Sequence, residues 1–283
     1  MLYDPISDLY LPIWYVLTTG KASQVYEHLL HSIFVASKKK LDPAHVVCDF
    51  EYALIKAVKT QFPDSTIVGC LFHFKQALRR KMLKLKITEA EVNLAMLDGC
   101  IDRLTVIRRL DIVFRGIPDV RRMIKRSCGY QGIQYSKDNW TKFWKYFKTT
   151  WIKKFVPAWW NTNGLGEDIV NRTNNPLERY NRTLNDAFSV AHPDVTQFIS
   201  VIEAQSREYV RLINDISHRR TTAPAHAPAQ PAPAFDSDSD FEVDSDLDVS
   251  DQALKPRMVL PWPRNLLNTD LHTKRYLFDF YRF

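Results

Sequence analysis

The stretch VVCDFEYALIKAVKTQFPDSTIVGCLFHFKQALRRK, residues 46–81, decides the fold class of this chain. Its opening, HVVCDF (45–50), is a short apolar run without clean alternation, as expected of a strand covered on both faces. EYALIKAVKTQF (51–62) has helical periodicity through Leu54, Ala57, Val58 and Phe62, and Pro63-Asp64 stops it. STIVGCLFH (65–73) reads as a second short buried strand, and FKQALRRKMLKLK (74–86) as a basic helix. Strands alternating with helices of about 12 residues indicate βαβ units and a mostly parallel sheet.

Upstream, LYLPIWYVL (9–17) is apolar and aromatic and broken by Pro12, which suits an edge or terminal strand. A helix is predicted over 23–37, with Val25, Leu29, Ile33 and Ala36 on one face, closed by Lys38-Lys39-Lys40 and Asp42-Pro43. Downstream, 88–160 is helical or aromatic-rich without strand-like alternation, 161–166 is a loop, and helices follow over 175–188 and 194–216. Residues 221–235 are Ala/Pro-rich and read as an extended linker, and 236–251 (DSDSDFEVDSDLDVSD) as acidic and disordered. The last residues, 256–283, are aromatic and basic, with the look of a docking peptide rather than of a placed element. The expected organisation is an α/β core over 1–87, a helical insertion over 88–165, and C-terminal core helices over 166–220. A linker over 221–255 and the terminal segment 256–283 complete it.

Eight glycines in 283 residues favour helices over many tight turns. No run of about 18 uncharged apolar residues occurs, so no membrane span is expected, and MLYDPISDLY lacks the pattern of a secretory signal. Four widely spaced cysteines, at 48, 70, 100 and 128, suit reduced thiols in an intracellular protein. Residues 1–220 hold 33 basic and 22 acidic side chains, a balance of +11, whereas 221–254 is −8 and the final 29 residues +4. A basic body with an acidic tail suits a polyanionic partner that the tail itself screens. An ordinary solvated surface accounts for the same balance equally well.

Asp49 ends the first buried strand. The carboxyl ends of such strands are where ligands bind in open α/β sheets, and a carboxylate there suits a hard divalent cation. The simpler reading is an N-cap for the next helix. Glu178 lies in NRTNNPLERYNRTLN (171–185), where Asn175 suits an N-cap and Pro176 the first helical position, close to a capping box. Leu177, Tyr180, Leu184 and Phe188 make an apolar stripe on that helix; Glu178, Asn181, Arg182 and Asn185 make a polar one that could line a nucleic-acid groove or face water. Cys70 and His73 form a Cys-x-x-His pair, two of the four ligands a structural zinc would need, with a packed core thiol as the ordinary alternative. Basic residues on the helix (Lys75, Arg79, Arg80, Lys81) and beside Glu178 (Arg179, Arg182) suit phosphate neutralisation. Trp140, Trp144, Trp151, Trp159 and Trp160 lie among five lysines; they suit a helical core better than base stacking.

Read in order, the D-F-E…A…F-P…G-C-x-F-H-x-x-Q-A block within 46–81, followed by TNNPLERYNRTLN (173–185), resembles the Mutator-like element (MULE) transposases over about residues 10–215. The resemblance implies a ribonuclease H-like fold with a helical insertion, a mostly parallel or mixed sheet, and DDE chemistry. In that chemistry three carboxylates hold two Mg²⁺ or Mn²⁺ ions for in-line attack on a DNA phosphodiester. On this mapping Asp49 is the second acid and Glu178 the third, and Cys70 with His73 is a site-adjacent motif. The first acid is expected upstream of the segment matching LPIWYVL, where only about eight residues stand. Asp4 and Asp8 there lie in a Pro-containing start that reads as having no strand. The sheet is accordingly expected to be incomplete at its N-terminal strands.

Three functions follow as expectations. The first is a transposase-derived nuclear DNA-binding protein without strand transfer, because one of three metal ligands is missing. The second is an active Mg²⁺-dependent DDE transposase whose gene model is incomplete or whose first acid is Asp4 or Asp8. The third is a non-enzymatic interaction protein acting through its acidic tail. DNA, and a second copy of the chain, are the expected partners.

Overall fold

The computed structural model describes residues 1–17, 20–166, 175–188, 194–224, 258–261 and 275–278. These residues divide into two units. One takes Met1–Thr66 with the described residues after 173, and the other takes Ile67–Arg172.

The first unit opens with a hairpin. Strand β1 (Leu2–Asp4) pairs antiparallel with β2 (Leu9–Leu11) in the register Leu2↔Leu11 and Asp4↔Leu9. Asp4 closes the turn, its Oδ2 accepting from the Ser7 hydroxyl at 2.7 Å and from the Ser7 N–H at 3.3 Å. The start of the chain thus does contain a strand, contrary to expectation; alternation over three residues is too brief to stand out in sequence. Pro12 splits the apolar run 9–17, and β3 (Trp14–Leu17) forms beyond it.

Helix α1 (Ser23–Ala36) buries Val25, Tyr26, Leu29, Leu30 and Ile33, and Lys38 and Lys39 end it in left-handed conformation (φ 57° and 60°). Strand β4 (His45–Cys48) follows, with Val46, Val47 and Cys48 buried. Helix α2 (Tyr52–Gln61) packs on α1, with Phe34 edge-on to Phe62. Thr66, the first residue of β5 (Thr66–Gly69), donates its N–H to the Ala44 carbonyl at 2.9 Å.

In the second unit, helix α3 (Leu71–Lys84) begins three residues earlier than periodicity suggests, with Cys70 at its N-cap. A short apolar run cannot by itself separate a strand end from a helix start. Helix α4 (Glu89–Met96) is closed by a Thr88–Glu91 capping box. A 3₁₀ turn (Ile101–Thr105), a π-helical turn (Ile112–Gly116), α5 (Ile117–Tyr130) and α6 (Lys137–Phe147) follow. A second π-helical segment continues α6 over Lys148–Lys154. The core is aromatic: Phe74, Trp140, Phe143, Phe147, Trp151, Phe155 and Trp160 are all buried. Trp160 stacks on Phe74 (centroids 5.2 Å apart, planes 18° apart), and Trp151 meets Phe74 edge-on at 4.7 Å.

The first unit resumes with α7 (Asn175–Asp186) and α8 (Val195–Ser217), the latter closed by an Asp194–Gln197 capping box. The hydroxyls of Tyr15 and Tyr180 hydrogen-bond, and Tyr180 donates to Gln205 Oε1 at 2.7 Å, so one polar chain ties β3 to α7 and α8. The C-terminal segment, unplaced by sequence, supplies two strands. β6 (Met258–Pro261) pairs antiparallel with β3, and β7 (Arg275–Phe278) lies between β1 and β4. β7 runs antiparallel to β1 and parallel to β4, giving the order β2-β1-β7-β4. The chain is therefore α/β with a mixed sheet. The parallel pair β4–β7, formed among the described residues, joins strands more than two hundred residues apart, which no local pattern could announce. The Ala/Pro and acidic runs, 225–257, lie outside the described residues.

Candidate functional site

Asp49 directly follows β4 and is half-buried. It is not the cap of α2: Glu51 holds that position, with backbone φ −82° and ψ 109° and no side-chain capping bond. Glu51 instead accepts from the Tyr26 hydroxyl at 2.6 Å and pairs with Lys21 at 3.7 Å. The capping alternative for Asp49 falls because α2 starts at Tyr52, two residues later than a cap at Asp49 would require.

Sheet register decides what reaches the end of β4 where Asp49 stands. β4 and β7 run together from His45↔Arg275 to Cys48↔Phe278. β1 runs the opposite way, with Leu2↔Tyr276 and Tyr3↔Arg275, so Asp4 points past the start of β7. Asp4 and Asp49 are therefore at opposite ends of the sheet, five residue steps apart, or about 16 Å along the strands. Two ions in a phosphodiester-cleaving clamp sit about 4 Å apart, so Asp4 does not share an ion site with Asp49. Asp8 is in the same turn as Asp4 and accepts from the Tyr3 hydroxyl at 2.8 Å. Among the described residues no three His, Cys, Asp or Glu side chains converge on one point. The described donors thus do not amount to a two-ion ligand set.

Glu178 belongs to the first turn of α7, with its side chain outside the description. α7 is described from Asn175 onward, and the capping geometry at its start lies outside the described residues. On the same helix Tyr180 and Leu184 of the apolar stripe are buried and Arg182 and Asn185 of the polar one are exposed, whereas Asn181 and Phe188 are both half-buried; Arg179 is exposed as well.

The basic face of α3 is largely engaged within its own unit. Arg79 reaches Glu89 at 2.8 Å and Asn93 at 2.9 Å, Lys75 reaches Asp98 at 3.3 Å, and the Lys81 ammonium lies 4.7 Å over the Tyr146 ring. Arg80 is half-buried. These cations hold α4 and α6 to α3, and their positive charge is partly neutralised on the spot.

Cys70 is fully buried at the N-cap of α3, and His73 is the third residue of that helix, edge-on to Phe72. Burial, with the Arg80 guanidinium near, pushes His73 down to about 4 from its ordinary 6.5. The folded imidazole then stays neutral while the unfolded one takes a proton near pH 6.5. Stability is present above pH 6.5 and declines as pH falls towards 4, by about 3 kcal/mol at most. Urea unfolding of the chain at pH 7.5 and pH 5 should show this loss, and His73→Gln should reduce it. An equal loss in His73→Gln would assign the slope to other groups.

Two features escaped the sequence reading. Glu91, fully buried, sits in a T-x-x-E signature (Thr88 to Glu91) that the capping-box pattern reveals. Leu110 and Phe114, 88% and 83% exposed, lie in a segment that reads only as helical, with nothing local to mark them as surface residues.

No curated protein and no solved structure matches the chain. A family model does: residues 7–77, about a quarter of the chain, match the MULE transposase domain over a span that runs from the β1–β2 turn into α3 and carries Asp49, Cys70 and His73.

Proposed function

We propose that this chain is a nuclear DNA-binding protein of transposase descent, with a ribonuclease H-like core and without strand-transfer activity of its own. The observation that carries the reading is the family match over 7–77. The +11 balance of residues 1–220 supports a polyanionic partner. The register that separates Asp4 and Asp8 from Asp49 by the length of the sheet supports the absence of cleavage. Asp49 and Glu178 are the positions the resemblance assigns to metal-binding acids, and Mg²⁺ or Mn²⁺ is the ion they would hold. Arg179 and Arg182, exposed on the helix that carries Glu178, are the residues of that region suited to phosphates.

Fluorescence anisotropy of the full chain on labelled duplex DNA, across a salt series, tests the reading. Affinity is expected to fall linearly on a log–log plot, with a slope of roughly −0.9 per phosphate neutralised. A flat response, or no binding at low salt, sinks it. Incubating supercoiled plasmid with Mg²⁺ or Mn²⁺ completes the test. Nicking that disappears in Asp49→Asn would make the protein an active DDE enzyme instead.

A further inference from the structure

We infer that Leu110 and Phe114, with Arg108 and Arg115 beside them, form a wedge that enters a DNA base step while the guanidiniums bind the flanking phosphates. The inference rests on the DNA-binding reading above and names the surface and the mode of contact.

The second unit buries most of its large apolar side chains, although Tyr130 (89%), Leu97 (58%) and Val106 (51%) are also exposed. Ile101, Leu104, Ile112, Trp140, Phe143, Phe147 and Trp151 are completely buried, yet Leu110 and Phe114 remain 88% and 83% exposed. Leu110 stands two residues before the π-helical turn Ile112–Gly116 and Phe114 lies within it, a rare geometry that recurs at functional positions.

The base beneath them is firmly held. Asn161 donates through Nδ2 to the carbonyls of Leu104 (3.0 Å) and Ile107 (2.8 Å). Gly116 lets the turn close on Leu104 and Ile107, since a Cβ there would stand only 2.5 Å from Ile107 Cδ1 and 2.7 Å from Leu104 Cδ2. A clamped turn with protruding apolar tips is a rigid device, and the tips gain nothing from the fold that displays them.

The charge around the tips fits one class of partner. Arg108 and Arg115 both address Asp111 through Nε, at 2.8 Å and 4.0 Å, and their side chains are 73% and 75% exposed. One carboxylate between two guanidiniums orients them and leaves a net positive charge. Across residues 101–130 eight Arg and Lys side chains face three Asp, and all eight are exposed. A protein-docking patch would be a broad apolar area of several hundred Å². Two projecting apolar side chains in a field of arginines match the wedge-and-phosphate pattern of DNA-kinking proteins instead.

The test uses the full chain and a short duplex carrying 2-aminopurine, whose fluorescence rises when it is unstacked. Wild-type protein should bind with a rise in fluorescence. The double variant Leu110→Ser/Phe114→Ser should melt like the wild type, because both side chains are already in water. It should bind roughly tenfold or more weakly, with an unchanged salt slope and no fluorescence rise, since what it loses is apolar. Arg108→Gln/Arg115→Gln should instead lower the salt slope by about 2.

Wild-type affinity and fluorescence in the double serine variant would overturn the wedge and leave the DNA-binding reading standing. Failure of the wild type to bind duplex would remove both. If the serine variant keeps DNA affinity but loses self-association, or loses binding of a peptide copying 236–251, the surface docks protein and the wedge is wrong.

Discussion

Replacing Glu91 by alanine is expected to cost about 3–5 kcal/mol, a large share of the roughly 5–15 kcal/mol that ordinarily holds a domain folded. Glu91 is fully buried, and its two carboxylate oxygens collect donors from three places in the chain. Oε1 accepts from the Ser136 N–H (2.7 Å), the Ser136 hydroxyl (3.0 Å) and Trp140 Nε1 (2.9 Å). Oε2 accepts from the Thr88 N–H (3.2 Å) and hydroxyl (3.0 Å) and again from Ser136 (2.9 Å). The carboxylate thus joins the start of α4 to the start of α6. Alanine would leave the Trp140 indole N–H with no acceptor in a site that water does not reach, and would cancel the cap of α4 as well. Glutamine keeps the volume but sets an amide N–H₂ against donors, so a smaller loss is expected.

These donors also hold the Glu91 carboxyl below its ordinary value, against a burial effect that is the largest single influence and acts the other way. A depressed folded value means that the contribution is complete above the unfolded value near 4.5 and is lost as pH falls through the folded one. Urea midpoints followed by tryptophan fluorescence, for wild type and both variants at pH 7 and pH 3, check the argument. An alanine variant within 1 kcal/mol of wild type at pH 7, on the order of one ordinary hydrogen bond, would refute it.

Trp160→Ala is the second large effect, expected to cost about 3–5 kcal/mol. The ring is buried, stacked on Phe74 and edge-on to Phe147 at 6.1 Å. Its Nε1 donates to the carbonyls of Trp151 (2.8 Å) and Phe155 (3.0 Å), where the π-helical segment runs out. π-Helical and terminal turns leave carbonyls without helical partners, and this indole satisfies two of them. Alanine would open a cavity and orphan both carbonyls. Trp160→Phe retains most of the ring and loses the N–H, so about 1–3 kcal/mol is expected for it. Thermal melting monitored by near-ultraviolet circular dichroism should rank wild type, Phe and Ala in that order. A Phe variant as unstable as Ala would mean that the hydrogen bonds, not ring packing, hold this corner.

Local physics made much of the protein legible in its sequence. The α1 stripe through Val25, Leu29 and Ile33 (though not Ala36, which is exposed at the helix end), the α2 run stopped by Pro63-Asp64, the break at Pro12 and the 194–216 helix appear where periodicity and chain breakers put them, because each signal lies within a turn or two of its consequence. The aromatic run 140–160 likewise forms a core, since rings that size leave water unless a ligand holds them. Position along the chain, however, says nothing of which strands become neighbours. Only the register of β7 against β1 and β4 shows that Asp4 and Asp49 occupy opposite ends of one sheet. Only packing shows that Lys75 and Arg79 are turned to acids and amides of their own unit, while Leu110 and Phe114 stand in water. Strand pairing and side-chain burial are set by groups distant in sequence, whose hydrogen bonds and buried area exist only once the chain has closed on itself.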